Sequence, residues 1–346
     1  MASHLITGSG PLLDERGRLR EPGYALRPPF DYSHDRIATS RLRIKDWDYY
    51  LVNDDRYAVA LTFSDLGYIG LVSAAVIDLG RASHTTTSEL VLMPLGNMGL
   101  PASSDEGDVC WANDRCQVWF EHTPAGRRLT FSMRDFAPGE DFEAELLLDE
   151  EPRDSMVIVT PWATDERAFY YNRKIVGMRA RGAFRRGAFV HEFSGEDSFG
   201  LLDWGRGVWT YDNVWFWGAA QGRQLGRVIG LNLGYGFGDT SAASENMLFV
   251  DGVAHKLEGV SFGIPGLDEG EPRYLEPWHV TDGQGRLDLT FRPIVDRSDL
   301  IDVAHLIVTD QHQVFGTYSG TVTLDDGTKL LVDHLRGFAE RVHNRY

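Results

Sequence analysis

The stretch Leu201–Gly218, LLDWGRGVWTYDNVWFWG, narrows the choice of fold more than any other part of the chain. It holds four of the nine tryptophans, with Tyr211 and Phe216 beside them. An extended strand alternates its side chains between two faces, so Trp209, Tyr211, Trp215 and Trp217 would share one. Asp203 and Arg206 precede them, flanked by Gly205 and Gly207, which tolerate the bulge or tight turn that a Cβ resists. So large an aromatic area beside an acid and a guanidinium fits either a packed seam between two lobes or the wall of an apolar pocket.

The rest of the chain carries the same period of two. RLRIKDWDYYLV from Arg41, then YAVALTF, GYIGLVSAAVIDL, TTTSELVLM, CQVWFEH, RRLTFSM, FEAELLL and MVIVTPW are short runs rich in β-branched and aromatic residues. Turn formers such as Asn53-Asp54, Gly80 and Pro138-Gly139 separate them. No run sustains a 3.6-residue apolar stripe, so the chain is expected to be all-β. Glu143 and Glu145 oppose Phe142 and Ala144, as on a strand with a solvated acidic edge. After the tryptophan stretch the pattern resumes at 227–238, 247–257, 285–294, 304–324 and 328–335, with Asp251-Gly252, Asp282-Gly283 and Asp326-Gly327 as hairpin turns. WDYYLV at 47 and WFWG at 215 each precede an apolar hairpin, an echo at an offset of about 160–170 residues that two tandem antiparallel barrels or sandwiches would explain. Residues 1–40, with prolines at 11, 22, 28 and 29, read as an extended arm. Residues 41–200 and 201–346 read as the first and second β-domains, as expected for a chain long for one core.

Charge and composition exclude several functions. A formal charge of −17 leaves no basic surplus for nucleic acid or anionic lipid. The basic stretch Arg179, Arg181, Arg185 and Arg186 reads as a solvated strand pair. The longest apolar run, Leu71–Ile77, is too short to span a bilayer, so no stable membrane insertion is expected. Met1–Gly10 lacks a basic start and an apolar run, which points to the cytoplasm, where Cys110 and Cys116 would stay reduced.

A ligand would find its opening after the tryptophans. In LNLGYGFGD the odd positions 231–239 are bulky, while Asn232, Gly234, Gly236 and Gly238 leave the other face nearly bare. That face leaves room for a ligand or lets another strand or ring approach closely. Asp239 and Glu245, six residues apart, could pair as acid and base. His312, between Gln311 and Gln313 and facing the opposite way, could carry a proton. No metal-ligand spacing, phosphate loop or nucleophile elbow occurs, and no cofactor is implied.

ITGSGPLLDERGRLREPGYA near the start, LLDWGRGVWTYDNVWFWGAAQG in the centre, GLNLGYGFGDTSAASENMLFVDG, DQHQVFGTYSGTVTLDDG and the closing GFAERVHNRY resemble a bacterial family of domains of unknown function. The resemblance runs over nearly the whole chain and brings no assigned reaction. More remotely, Asp203–Trp209, D-W-G-x-G-x-W, resembles the lipocalin-like (calycin) proteins of two tandem barrels. These include carotenoid 1,2-hydratase, AttH-like proteins, tocopherol cyclase and fungal Diels–Alder cyclases. The wider resemblance implies a pocket for a hydrophobic or amphipathic small molecule, such as an isoprenoid or lipid, and an acid that protonates an alkene. Three functions stay open: a cofactor-free hydratase, cyclase or isomerase; a non-catalytic carrier; and a carbohydrate-active protein. For the enzyme, Asp203 or Asp239 would be the acid, with Glu245 and His312 as further candidates. Arg206 would orient the substrate or hold Asp203 ionised, and a paired Asp203 would leave Asp239 as the better acid. Trp209, Tyr211, Trp215, Trp217, Asn232, Gly234, Gly236, Gln311 and Gln313 would line the pocket.

Overall fold

The computed structural model describes residues 3–303 and 307–345, so the first three residues of the strand-like run 304–324 lie outside the described residues. Alternating apolar runs separated by tight turns can satisfy their backbones only by lateral pairing, and they do so in two large antiparallel sheets. Among the described residues the helical pieces are two 3-10 turns, His34–Arg36 and Arg41–Arg43.

The first sheet has 12 strands. Its path runs Ser83–Leu92, Ile69–Asp78, Tyr57–Asp65, β1 (Ile44–Asn53), then the long pair that frames the seam, with β2 (Met156–Trp162) beside it. That pair is β3 (Asp165–Arg186) and β4 (Phe189–Val208), and beyond it come Glu140–Asp149, Gly126–Ala137, Cys116–Thr123 and Val109–Ala112. The sheet curls back on itself, for Thr87 near one edge donates to the Phe136 carbonyl at 2.6 Å near the other. The second sheet repeats the plan with nine strands. Its first long strand, β5 (Asp212–Gln224), is followed by β6 (Arg227–Tyr235). From the other side β5 pairs with the last strand of the chain, as β1 pairs with β4. The remaining long strands are β7 (Leu287–Val303), β8 (Ile307–Thr323) and that last strand, β9 (Lys329–Arg345). The expected break after residue 200 falls inside β4; the sheet changes between Val208 and Asp212.

Period-two alternation on strands buried on both faces sorts the interior into three cores. On β4 the even residues Leu202, Trp204 and Val208 enter the core of the first sheet. On β6 the odd residues Ile229, Leu231 and Leu233 enter that of the second. A third core lies between the sheets and takes Leu201 and Trp209, Trp217 and Ala219, and Phe338. Gly230 allows this contact, because a Cβ there would lie 2.8 Å from Val176 Cγ1 of the first sheet.

The arm lies over the first sheet, burying Ile6, Leu12 and Leu13 in its core. It is fastened by Asp46, a buried carboxylate that accepts from the Tyr32 hydroxyl at 2.8 Å and meets His34 Nε2 at 2.6 Å. The bond to Asp46 raises the His34 pKa, against burial and the nearby Arg206 charge. A histidine with a raised folded pKa stabilises fully below its unfolded value, and that contribution is lost as pH rises through the folded one. The melting-temperature gap between the protein and its His34→Gln variant should therefore be widest near pH 5.5 and narrow towards pH 9. A gap independent of pH would show that the imidazolium does not fasten the arm.

Candidate functional site

The strand faces that meet between the sheets are apolar at their margins and charged at their centre. On β3, Tyr170, Asn172 and Lys174 share the face turned to the second sheet, and Asp203 stands opposite Lys174 on β4. Lys174 is one of four lysines in the chain and is buried. Its Nζ lies 2.9 Å from Asp203 Oδ1 and 3.8 Å from Glu245 Oε2, sits 4.0 Å over the Trp217 ring and donates to the Tyr170 hydroxyl at 3.4 Å. Asn172 Nδ2 donates to the same Asp203 oxygen at 2.5 Å. From the second sheet, Trp217 Nε1 donates to Asn232 Oδ1 at 2.8 Å, and Asn232 Nδ2 donates to the Glu245 carbonyl at 2.8 Å.

A second carboxyl lies on the far side of Trp217. Glu340 is paired across β5 and β9 with Trp217 and accepts from Trp215 Nε1 and Gln313 Nε2, both at 3.0 Å. Gln313 in turn accepts from Arg297 Nε at 3.1 Å. Lys174 thus lies between two carboxyls, Asp203 and Glu245, while Glu340 faces the Arg297 charge more strongly than that of Lys174. Burial pushes Glu245 above the usual carboxylate range, with the Lys174 charge opposing it. Burial pushes Glu340 up to about 7, against the Trp215 bond and the Arg297 charge. Burial and the charges of Glu245, Asp203 and Glu340 also drive the Tyr170 hydroxyl well above its ordinary value. An ion pair, two carboxyls biased to their neutral form and amide donors make an arrangement that can give and take protons away from bulk water.

The structure brings together Asp203, Glu245, Trp217, Asn232, Gly234, Trp215 and Gln313, and leaves other candidates apart. Gly234 holds its place because a Cβ there would lie 2.5 Å from the Glu245 carboxyl carbon. Arg206 is three residues from Asp203 and so faces the other way. It is fully buried in the first-sheet core, donating to Asp48, the Trp47 carbonyl and the Pro101 carbonyl. The partner of Asp203 is therefore Lys174. Asp239 is no neutral acid: it accepts from the Ser241 amide at 3.0 Å, which lowers its pKa in an open turn. His312 lies on the opposite face of β8, 2.7 Å from Asp296 and stacked on Tyr274. Gln311 is half-buried two residues beyond Gln313, and Gly236 is exposed just past the end of β6. Tyr211 is 51% exposed in the turn that joins the sheets. Trp209 joins an aromatic group beside the cluster, 5.3 Å from Trp47 and 5.8 Å from Trp215. Gly205 serves this group rather than a bulge, for a Cβ would strike the Trp47 indole.

Sequence reasoning missed Lys174, Glu340, Tyr170 and Asn172. A rare lysine inside the apolar run FYYNRKIV was the available signal for the first. Two open surface clefts lie elsewhere: one of about 320 Å³ lined by residues including Arg56, Tyr57, His84 and Phe189, and one of about 500 Å³ beside the arm. Their charges are spread over solvated rims, whereas the inter-sheet cluster is enclosed, and the chemistry follows the burial. Among the described residues no group of three His, Cys, Asp or Glu is placed to hold a metal, and no helix is long and apolar enough to cross a membrane.

The fold defines an all-β protein of two large curled sheets closing on a buried polar seam. It is similar to the crystal structure of a protein from Nitrosomonas europaea given the provisional name AttH, with a TM-score of 0.55 at 12% identity over 92% of this chain and 98% of that one. At that identity the likeness is one of fold. Two looser likenesses are to kievitone hydratase from Nectria haematococca (TM-score 0.47, 10% identity, 87% and 88% covered) and to CghA with Sch210972 (0.49, 10%, 96% and 97%). No curated protein matches the chain. The chain belongs to the family described as "Domain of unknown function (DUF2804)", whose model matches residues 3–346.

Removing one partner of a buried ion pair leaves an uncompensated charge, so Lys174→Met should cost about 3–5 kcal/mol in chemical denaturation. Adding Asp203→Leu should recover most of that loss. A single variant within about 1 kcal/mol of the parent, the worth of an exposed pair, would mean that the pair is solvated.

Proposed function

We propose that the inter-sheet cluster is an acid–base site for a hydrophobic or amphipathic small molecule. Its chemistry would be cofactor-free proton transfer to a carbon–carbon double bond, as in a hydratase, cyclase or isomerase. The observation that carries this reading is the Glu245 carboxyl, on a side chain only 12% exposed and biased to its neutral form beside the Lys174–Asp203 pair. A neutral carboxylic acid in an enclosed site is a proton donor at a pH where a solvated one is already spent. The proton would pass from Glu245 to one alkene carbon. The cation left on the other carbon would face the Asp203 carboxylate and the indole of Trp217 until water or a group of the substrate added to it, returning a proton to the site. Asn172 Oδ1, a buried acceptor without a hydrogen-bond partner among the described residues, would meet a polar group of the substrate.

A second reading has its own support. The sheets pack closely at Gly230 and Gly234, as a purely structural seam would. The non-catalytic carrier that the sequence left open would instead bind a compound without transferring a proton.

Protein purified from its native host should carry a lipophilic compound identifiable by mass spectrometry. Incubated with that compound in D2O, the protein should place deuterium on carbon. Glu245→Gln should abolish this while retaining the compound. Retention without deuterium transfer by the unmodified protein would leave the carrier, and no bound compound would favour the structural seam.

A further inference from the structure

Phe237 enters the aromatic group between the sheets from a loop, the segment that follows β6. It is buried to 7% exposure. Four rings surround it edge to face: Trp162 at 4.9 Å, Tyr170 at 4.9 Å, Trp209 at 4.8 Å and Trp215 at 5.3 Å. Trp162 and Tyr170 come from strands of the first sheet and Trp215 from β5, while Trp209 follows β4 and is tied through its amide and carbonyl to Arg43.

The segment that delivers the ring is built differently. Gly236 and Gly238, either side of Phe237, adopt φ of +89° and +70°, conformations that L side chains rarely take. A Cβ at Gly238 would also lie 2.7 Å from Thr160 Cγ2. Between Gly236 and Ser241 the backbone bond to the sheets is Asp239 N to the Pro161 carbonyl at 2.7 Å. From Ser244 onward the segment is tied down firmly, with Ser244 Oγ and Asn246 Nδ2 both donating to the Glu258 carbonyl. One ring on a two-glycine joint thus fills a box formed by four rings from the sheets and the end of β4.

We infer that Phe237 is a removable plug and that the box is the subsite for a planar, uncharged ring of the ligand. The box shares Tyr170 with the charged cluster, whose hydroxyl receives the Lys174 hydrogen bond, so a ring placed there points its edge at the acid–base groups. The class is uncharged because the walls of the box, Trp162, Tyr170, Trp209 and Trp215, offer no charged side chain to pair an ion that would be buried there. The inference rests on the proposed acid–base site only for what the ring is brought towards; the plug stands on its own geometry.

The plug is tested with 2-naphthol, an uncharged planar ring with one hydroxyl, followed by tryptophan fluorescence and hydrogen exchange on the full chain. A box empty in only a fraction of molecules binds more weakly by that fraction, so Phe237→Ala should bind 2-naphthol at least about tenfold tighter than the parent. In the parent, saturation with 2-naphthol should speed amide exchange at Gly236–Ser241 as the ring is expelled. Phe291→Ala, which empties a place beside Trp278 and Tyr318 in the second core, should not gain the same affinity. Equal gains in both variants, or slowed exchange at 236–241 in the saturated parent, would overturn the inference. The double variant Phe237→Ala, Glu245→Gln should still bind 2-naphthol, so a failure of Glu245 as the acid would leave this result intact. Loss of binding in the double variant alone would show that the box does not stand apart from the carboxyl.

Discussion

The Lys174–Asp203 pair is the interaction on which the rest of the seam depends. Two β-sheets that bury a common face must resolve every charge on that face inside the protein, where an unpaired ion is costly. One ammonium can balance one carboxylate, and here Asp203 takes it at 2.9 Å. Glu245 and Glu340 have no partner as close, and burial pushes both towards their neutral forms against the charges of Lys174 and Arg297. Acid character thus follows from burial outweighing the nearby positive charges, and Asp203 is the wrong carboxyl for that role because it is the closely paired one.

Much of the fold was legible because a period of two is a local property. The run from Arg41 to Val52, of which Ile44 onward is strand, and the run around Trp215 announced the first long strands of the two sheets, and Asp-Gly turns announced hairpins. The same rule places Asp203 and Arg206 on opposite faces, and the structure separates them accordingly. Pairing across strands is not local. Nothing in the order of residues shows that Lys174 lies opposite Asp203, or that Glu340 returns from the end of the chain to stand beside Trp217. Tyr211 was misplaced for a local reason: alternation was carried through 209–211, where the chain leaves one sheet for the other.

The glycines after Leu231 show how one pattern can have two causes. Gly234 belongs to a strand and clears the space that the Glu245 side chain fills. Gly236 and Gly238 lie beyond the strand and are needed for their backbone angles. Read as one bare face, they suggested a cavity; read with their angles, they frame the ring of Phe237. The seam is closed because the chain fills it with its own side chain.

The acid character of the seam rests on Glu340, raised to about 7, and on Glu245, raised above its ordinary value. Infrared difference spectra across a pH titration, with Glu245→Gln and Glu340→Gln as assignments, test this most directly. Protonated-carboxyl bands should persist above the range of solvated glutamates. One should titrate near pH 7 and vanish in Glu340→Gln. A second, belonging to Glu245, should be lost above the ordinary glutamate value of about 4.3. Full ionisation of both groups by about pH 5, as for solvated glutamates, would contradict the account.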